Sequence, residues 1–324
     1  MCTAITFQSK DHYFGRNLDL EYHYHENVTI TPRQYEFHFR NGTVIRDHFA
    51  MIGMATISNG FPLYYEATNE KGLSIAGLNF PGNAVYFGHR ADKVNITPFE
   101  LIPWLLCQFQ TVEEALPALG DMNLWRQDFS PEYPLSPLHW LLADKSIAVT
   151  IESTESGIHI CKNPVGVLTN NPPFDYHLYH LANYLNVTAM PPCNRFSAKL
   201  DLTPYSLGMG AIGLPGDPSS PSRFVRAAFT KFNSLAEPSE KSSVNQFFHI
   251  LGSVIQQRGV TNVREREFEY TIYSSCCNTD QGIYYYTTYE NSQITGIDMH
   301  KEDLNSSSLI AYPLITDPQF FFQN

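Results

Sequence analysis

The chain has 324 residues, with 21 Lys plus Arg against 32 Asp plus Glu and a formal charge of −11. Hydrophobic residues are 43% and charged residues only 16%, which excludes a highly charged disordered chain. The acidic balance argues against a nucleic-acid backbone or an anionic membrane surface as partner, and no apolar run approaches the ~18 residues of a membrane span.

In chain order, Cys2 to Phe7 and Tyr13 to Leu20 read as strands around the turn-like Ser9-Lys10-Asp11-His12. Phe61 to Glu70 and Leu73 to Phe80 predict a second hairpin about Asn69-Glu70-Lys71-Gly72. Asn95-Ile96-Thr97-Pro98 offers a cap before a proline at the first helical position, ahead of the apolar run Phe99 to Phe109. Thr111-Val112-Glu113-Glu114 has the form of a capping box. Leu138 to Asp144, Ser146 to Glu152 and Gly157 to Cys161 predict a meander, and Gly166 to Thr169 a short strand ending in Asn170-Asn171-Pro172-Pro173. Phe174 to Leu185, Ser222 to Phe232 and Ser243 to Gln257 are helical in pattern. The Gly-, Pro- and Ser-rich stretch from Asp201 to Pro221 lacks the Lys-Ser/Thr ending of a phosphate loop and reads as a shaped loop. Phe268 to Ser275, Gly282 to Tyr289 and Gln293 to Met299 predict three closing strands. Strands at both ends with helices grouped between them predict one α+β domain of stacked layers over residues 1–324.

Of the six cysteines, Cys107, Cys161, Cys193, Cys276 and Cys277 show no metal or disulfide spacing and are expected to be small buried apolar residues. His23 and His25 would share a face of a strand, but no third ligand accompanies them, so the segment Glu21 to Glu26 reads as a solvated or pocket-rim stretch. His139 and Trp140 read as core strand residues. The start Met1-Cys2-Thr3-Ala4 has neither a basic region nor a long apolar stretch of a secretory signal, so a cytoplasmic protein is expected.

Cys2 carries the chemistry by position. A small second residue allows removal of Met1, which leaves a cysteine with a free α-amine. A thiol and an amine on one residue supply a nucleophile and its general base. One turn later comes Phe14-Gly15-Arg16-Asn17-Leu18-Asp19. An Arg beside a thiol favours thiolate, and a carboxylate beside an α-amine orients it.

With these residues the chain resembles the choloylglycine hydrolases, the N-terminal-nucleophile family that includes bile salt hydrolases and penicillin V acylases. The likeness continues through Asn69-Glu70-Lys71-Gly72-Leu73, Gly77-Leu78-Asn79-Phe80-Pro81 and Leu168-Thr169-Asn170-Asn171-Pro172. Gly213-Leu214-Pro215-Gly216-Asp217, Ser220-Pro221-Ser222-Arg223-Phe224 and Gly282-Ile283-Tyr284-Tyr285-Tyr286-Thr287-Thr288-Tyr289 complete it in order. It is greatest to bile salt hydrolases of lactobacilli and related gut bacteria.

The resemblance implies an αββα four-layer fold, with two antiparallel sheets face to face and helices outside. It implies amide hydrolysis of glycine- or taurine-conjugated bile salts, without metal or cofactor, by a homotetramer. Carried over by residue, Cys2 is the nucleophile and its α-amine the base, Arg16 lies beside the thiol and the scissile bond, and Asp19 holds the amine. Asn170 contributes to the oxyanion hole together with Asn79, and Arg223 supports the network around Cys2. A rigid steroid needs an apolar pocket, for which Leu18, Leu20, Tyr24, Tyr65 and Leu135 are the candidates. A penicillin V or acyl-homoserine lactone acylase of the same fold is the alternative. Asn79 favours bile salts over it weakly, since penicillin acylases tend to carry an aromatic there. A non-catalytic protein that sequesters amphipathic anions is disfavoured by the presence of Cys2.

Overall fold

The computed structural model describes residues 1–324. It opens with the hairpin β1 (Cys2–Gln8) and β2 (His12–Leu20). Next come β3 (Asn27–Thr31), β4 (Phe37–His38), β5 (Val44–Ile45), β6 (Met51–Ser58), β7 (Phe61–Asn69), β8 (Ser74–Asn79) and β9 (Val94–Ile96). Helices α1 (Leu101–Gln108) and α2 (Val112–Asp121) lead through β10 (Met122–Leu124) to β11 (Leu138–Ala143), β12 (Ala148–Thr154), β13 (Gly157–Lys162) and β14 (Val167–Leu168). Helices α3 (Phe174–His180), α4 (Ser220–Asn233) and α5 (Glu240–Gly252) precede β15 (Thr261–Arg264), β16 (Glu267–Asn278), β17 (Ile283–Thr288), β18 (Thr295–Asp298) and β19 (Ile310–Pro313).

One sheet has the order β14-β1-β2-β16-β17-β18, with β15 on β16, and the other β13-β12-β11-β8-β7-β6-β3-β19. Every strand pair within these two sheets is antiparallel. Helices α4 and α5 pack on the first sheet and α1 on the second, while β1 and β2 meet β8 across the middle. The result is an α+β sandwich in the expected αββα order. One apolar core fills the space between the sheets and under α4 and α5, and a second lies between the other sheet and α1 and α2. Strands β1 and β2 are therefore covered on both faces, and their residues are buried almost without alternation. No helix is long and apolar enough to cross a membrane.

Local readings fail where tertiary contacts outweigh local pattern. Helix α1 begins at Leu101 instead of Pro98, because the preceding residues are drawn into a parallel pairing of β9 with β10. Thr97 still acts with Glu100, whose Oε2 accepts from the Thr97 hydroxyl at 2.7 Å and from its N–H at 3.1 Å. Asn95 is no cap. Its amide bridges the Arg90 and Lys93 carbonyls. Glu21 to Glu26 is not a strand. His25 has φ 61°, and the Tyr24 N–H turns onto Glu26 Oε1 at 2.9 Å. Cys107, Cys276 and Cys277 are buried, but Cys161 is half-buried and Cys193 exposed, because Cys193 falls in the irregular segment between α3 and α4.

Candidate active site

The register of the first hairpin sorts the motif residues onto two faces. Cys2 pairs with Leu18, Ala4 with Arg16, and Thr3 with Asn17. Cys2, Arg16 and Leu18 line one cavity. The alternate residues face the helices: the Asn17 amide donates to the Leu251 carbonyl of α5 at 3.0 Å. Asp19 follows that face, and its Oδ1 accepts from the Thr271 hydroxyl at 2.6 Å. Its other oxygen, Oδ2, is buried without a partner. The hairpin thus brings Arg16 and Asp19 to Cys2 from opposite sides.

The Cys2 nitrogen is held by the end of β14 and by α4. Its N–H donates to Asn170 Oδ1 at 2.8 Å. Arg223 Nη2 donates to the same oxygen at 2.6 Å, and Arg223 Nη1 to the Thr3 hydroxyl at 2.7 Å and to the Cys2 carbonyl. The Asn170 amide in turn donates to the Asn79 carbonyl at 2.7 Å. Asn170 therefore grips the Cys2 nitrogen with its oxygen, while one of its amide hydrogens ties β8. Its backbone is fixed by the Ser220 hydroxyl, 2.8 Å from its N–H, and by a His177 ring nitrogen 2.9 Å from its carbonyl. Met1 extends β1 by one residue and exchanges both backbone bonds with Asp19, at 3.0 and 3.1 Å.

Two β-bulges shape the sulfur side. In β7 the pairing passes from Met54 with Glu66 to Ala55 with Tyr64, which leaves Tyr65 extra. In β16 it passes from Thr271 with Asp19 to Tyr273 with Leu18, which leaves Ile272 extra. Bulges re-aim side chains in this way. Arg16 Nη1 donates to the carbonyls of the bulged Tyr65 at 3.1 Å and of Gly77 at 2.5 Å. Its Nη2 is buried with no partner in the chain.

Burial dominates the electrostatics. It pushes the Asp19 carboxyl up, against the pull of the chain's terminal ammonium and Arg223. It pushes the terminal amine of Met1 and the Arg223 guanidinium down. For Arg16 burial acts downward too, but Cys2, Tyr273, Glu66 and Asp19 outweigh it and raise the guanidinium above its ordinary value. Arg16, Arg223 and Asp19 thus surround the thiol and the N-terminus, and the Met1 ammonium also pairs with Glu269.

The cavity above the sulfur has a volume of about 380 Å³, within the range of small-molecule sites, roughly 300–1,000 Å³. Leu18, Leu20, Tyr24, Tyr65 and Leu135 all lie on its wall, with Asn79 near Cys2 and Arg16. Tyr65 and Tyr24 are coupled through Thr56, whose hydroxyl is 2.9 Å from the Tyr65 hydroxyl and donates to the Tyr24 carbonyl at 2.9 Å. The sequence reading missed Leu63, Ile102, Phe99, Phe129, Tyr133 and Pro134, which are also part of the apolar wall. Several come from the loop between β10 and β11, where the aromatic- and proline-rich run Phe129-Ser130-Pro131-Glu132-Tyr133-Pro134 was the available signal. That loop is pinned: Leu135 N–H donates to Asp128 Oδ1 and the Tyr86 hydroxyl to the Ser136 carbonyl, both at 2.8 Å. Arg40 lies over the Phe99 and Phe129 rings at 5.8 and 5.6 Å. Also missed were Glu66, Thr271 and Tyr273, whose roles depend on the bulges.

Comparison with known proteins gives a family and a fold. Residues 2–312 match the linear amide C–N hydrolases of the choloylglycine hydrolase family. The chain is 56% identical over 324 residues to a bile salt hydrolase/transferase of Lactiplantibacillus plantarum, with 100% of each chain covered. A crystal structure of a variant of the conjugated bile acid hydrolase from Clostridium perfringens superimposes with a TM-score of 0.92 at 34% identity, covering 100% of both chains. A penicillin V acylase from Agrobacterium tumefaciens has a TM-score of 0.74 at 19% identity, covering 95% of this chain and 90% of its own, and shares the fold.

Proposed function

Because the chain belongs to the choloylglycine hydrolase family of linear amide C–N hydrolases, we propose that it is a bile salt hydrolase that releases glycine or taurine from conjugated bile salts, with Cys2 as nucleophile. The observation that carries this reading is the joining of Cys2, Arg16 and a largely apolar cavity in one site. Removal of Met1 converts the nitrogen now bound to Asn170 Oδ1 into the α-amine of the mature chain, which begins at Cys2. The unpartnered Asp19 Oδ2 is then available to that amine.

In this mechanism the amine takes the thiol proton and the thiolate attacks the amide carbonyl carbon. The carbonyl oxygen is met by the free donor of Arg16, the side chain of Asn79 and the remaining N–H of Asn170. Donors of this kind contribute ~10²–10³ each in other enzymes. The ammonium returns the proton to the leaving nitrogen, the C–N bond breaks, and glycine or taurine departs. Water, deprotonated by the same amine, adds to the thioester. The C–S bond breaks, and the bile acid leaves as the thiol is restored. The steroid rests on Leu18, Leu20, Tyr24, Tyr65 and Leu135.

The same reading makes the enzyme a cytoplasmic homotetramer that deconjugates bile acids in lipid metabolism. Exposed apolar side chains between α3 and α4, such as Phe196, Tyr205 and Leu207, support association of copies. Light scattering should give about four times the chain mass, and a monomer at micromolar concentration would exclude it. Amine release from taurocholate, glycocholate and penicillin V tests the activity. Turnover of the bile salts is expected to exceed that of penicillin V, and the reverse order would replace this reading by the acylase one.

A further inference from the structure

Glu66 touches neither the thiol nor the N-terminus, yet three connections join it to Arg16. Its Oε2 lies 3.9 Å from Arg16 Nε. The Ser275 hydroxyl donates to Glu66 Oε1 at 3.0 Å and accepts from the Arg16 backbone N–H at 3.2 Å. The neighbouring Tyr65 carbonyl accepts from Arg16 Nη1 at 3.1 Å. The bulge at Tyr65 makes this possible: an unbroken register would turn Glu66 to the other face of the sheet. Two further hydroxyls, of Tyr273 at 2.7 Å and Tyr284 at 2.5 Å, donate to the carboxylate from the facing sheet.

We propose that Glu66 is a positioning residue whose carboxylate is the standing countercharge of Arg16, keeping the guanidinium beside the Cys2 sulfur while that sulfur is uncharged. The charges buried around Cys2 support this role, which rests on the hydrolase function proposed above. Arg16, Arg223, Asp19 and Glu66 are each at most 1% exposed. Arginine stays charged in proteins, and an uncompensated buried charge is strongly unfavourable. Burial pushes the Glu66 carboxyl up, while Arg16 and the hydroxyls of Tyr284, Tyr273 and Ser275 pull it back toward the ionised form. With Glu66 and Asp19 both ionised, these four side chains sum to zero for a thiol beside a neutral amine, and equally for a thiolate beside an ammonium. In the thioester the sulfur is neutral and offers Arg16 nothing. Glu66 then becomes the partner that holds the guanidinium, and the hydroxyls of Tyr273, Tyr284 and Ser275 solvate it in place of water.

Glu66→Gln tests this, because glutamine has the shape and charge of a protonated glutamic acid. The first readout is the pH profile of Cys2 alkylation by iodoacetamide, which needs no substrate. Removing the negative charge leaves the cluster one unit positive, so the midpoint should move to lower pH by about one unit. The second readout is taurocholate turnover, where kcat should fall roughly tenfold with KM within about twofold, since the charge acts on the thioester stage. Tyr284→Phe is the companion if Glu66→Gln folds poorly. It removes one of the donors that hold the carboxylate ionised, so the alkylation midpoint should move the same way as in Glu66→Gln, by less. An unchanged profile and unchanged kcat in a folded Glu66→Gln would overturn the proposal, because Glu66 would then be a neutral structural acceptor. An unshifted Tyr284→Phe profile would do the same where Glu66→Gln cannot be purified. A wild-type protein inert toward bile salts would sink the functional reading while the alkylation profile still judged Glu66.

Discussion

At Cys2 the sulfur and the nitrogen lead into different surroundings. The sulfur shares a cavity with Arg16, whereas the nitrogen is gripped by Asn170 Oδ1, itself held by Arg223. Cys2→Ala removes only the sulfur from a strand start whose backbone bonds remain, so amine release from taurocholate should disappear while the melting temperature stays within a few degrees. Residual hydrolysis near the wild-type rate would exclude Cys2 as nucleophile. Asn79 sits at the end of β8, half-buried on the cavity wall. Asn79→Tyr should fill the leaving-group side and lower kcat/KM for both conjugates by roughly 10²-fold, the loss of one oxyanion donor. Equal kinetics for variant and wild type would take Asn79 out of the site. The residues of Cys2-Thr3 and Arg16-Asn17-Leu18-Asp19 were legible as a set, since the side-chain types and the hairpin spacing point to a thiol with an amine base. That Asn170 turns its oxygen to the Cys2 nitrogen was not, because the side-chain orientation depends on Arg223, 53 positions away.

At the scale of elements, the site depends on how closely β2 approaches β16. A Cβ on Gly15 would lie 2.0 Å from the Ser275 carbonyl oxygen and 2.9 Å from the Cys276 Cα, both backbone atoms that cannot swing away. Gly15→Ala should therefore force β2 from β16 and cost on the order of 3 kcal/mol. It should also lower kcat, because Arg16 and its contact with Ser275 lie one residue on. Chemical denaturation with unchanged midpoint would show that the strands tolerate the methyl group. The hairpin of β1 and β2 was readable from its strand residues and its turn, but their bulged partners were not. A bulge adds one residue without a fixed sequence mark, so the single charge in Tyr64-Tyr65-Glu66-Ala67-Thr68 gave no sign of the face it would occupy.

For the molecule as a whole, two buried histidines set an acid limit. Burial lowers His12 and His177 from 6.5 to about 4. Both are neutral in the folded protein near neutral pH, whereas the unfolded chain protonates them near 6.5. Their contribution to stability is fully present above that value and is lost as the pH falls from about 6.5 toward 4. Each costs at most roughly 1.4 kcal/mol per pH unit in that window. Urea midpoints should fall between pH 7 and 4.5, and His177→Gln should flatten the fall. A midpoint independent of pH across that range would refute the linkage. The decline should also reach activity, because a ring nitrogen of His177 lies 2.9 Å from the carbonyl of Asn170.

The amino-acid sequence alone determined the family and the layered α+β plan, and it named Cys2 with the polar residues that the fold gathers around it. Those properties lie in local motifs, turn signals and the chemistry of particular side chains. Leu18, Leu20, Tyr24, Tyr65 and Leu135 could be named as wall residues, but Phe129 and Tyr133 could not, since their loop is held at the cavity by distant residues such as Arg40 and Tyr86. The tertiary structure decided which face each motif residue serves, which atoms are left without partners, and that Glu66 stands against Arg16. The reason is physical. Hydrogen-bond direction and the balance of buried charge arise only when distant strands close over one another and exclude water, and no short stretch of sequence carries that information.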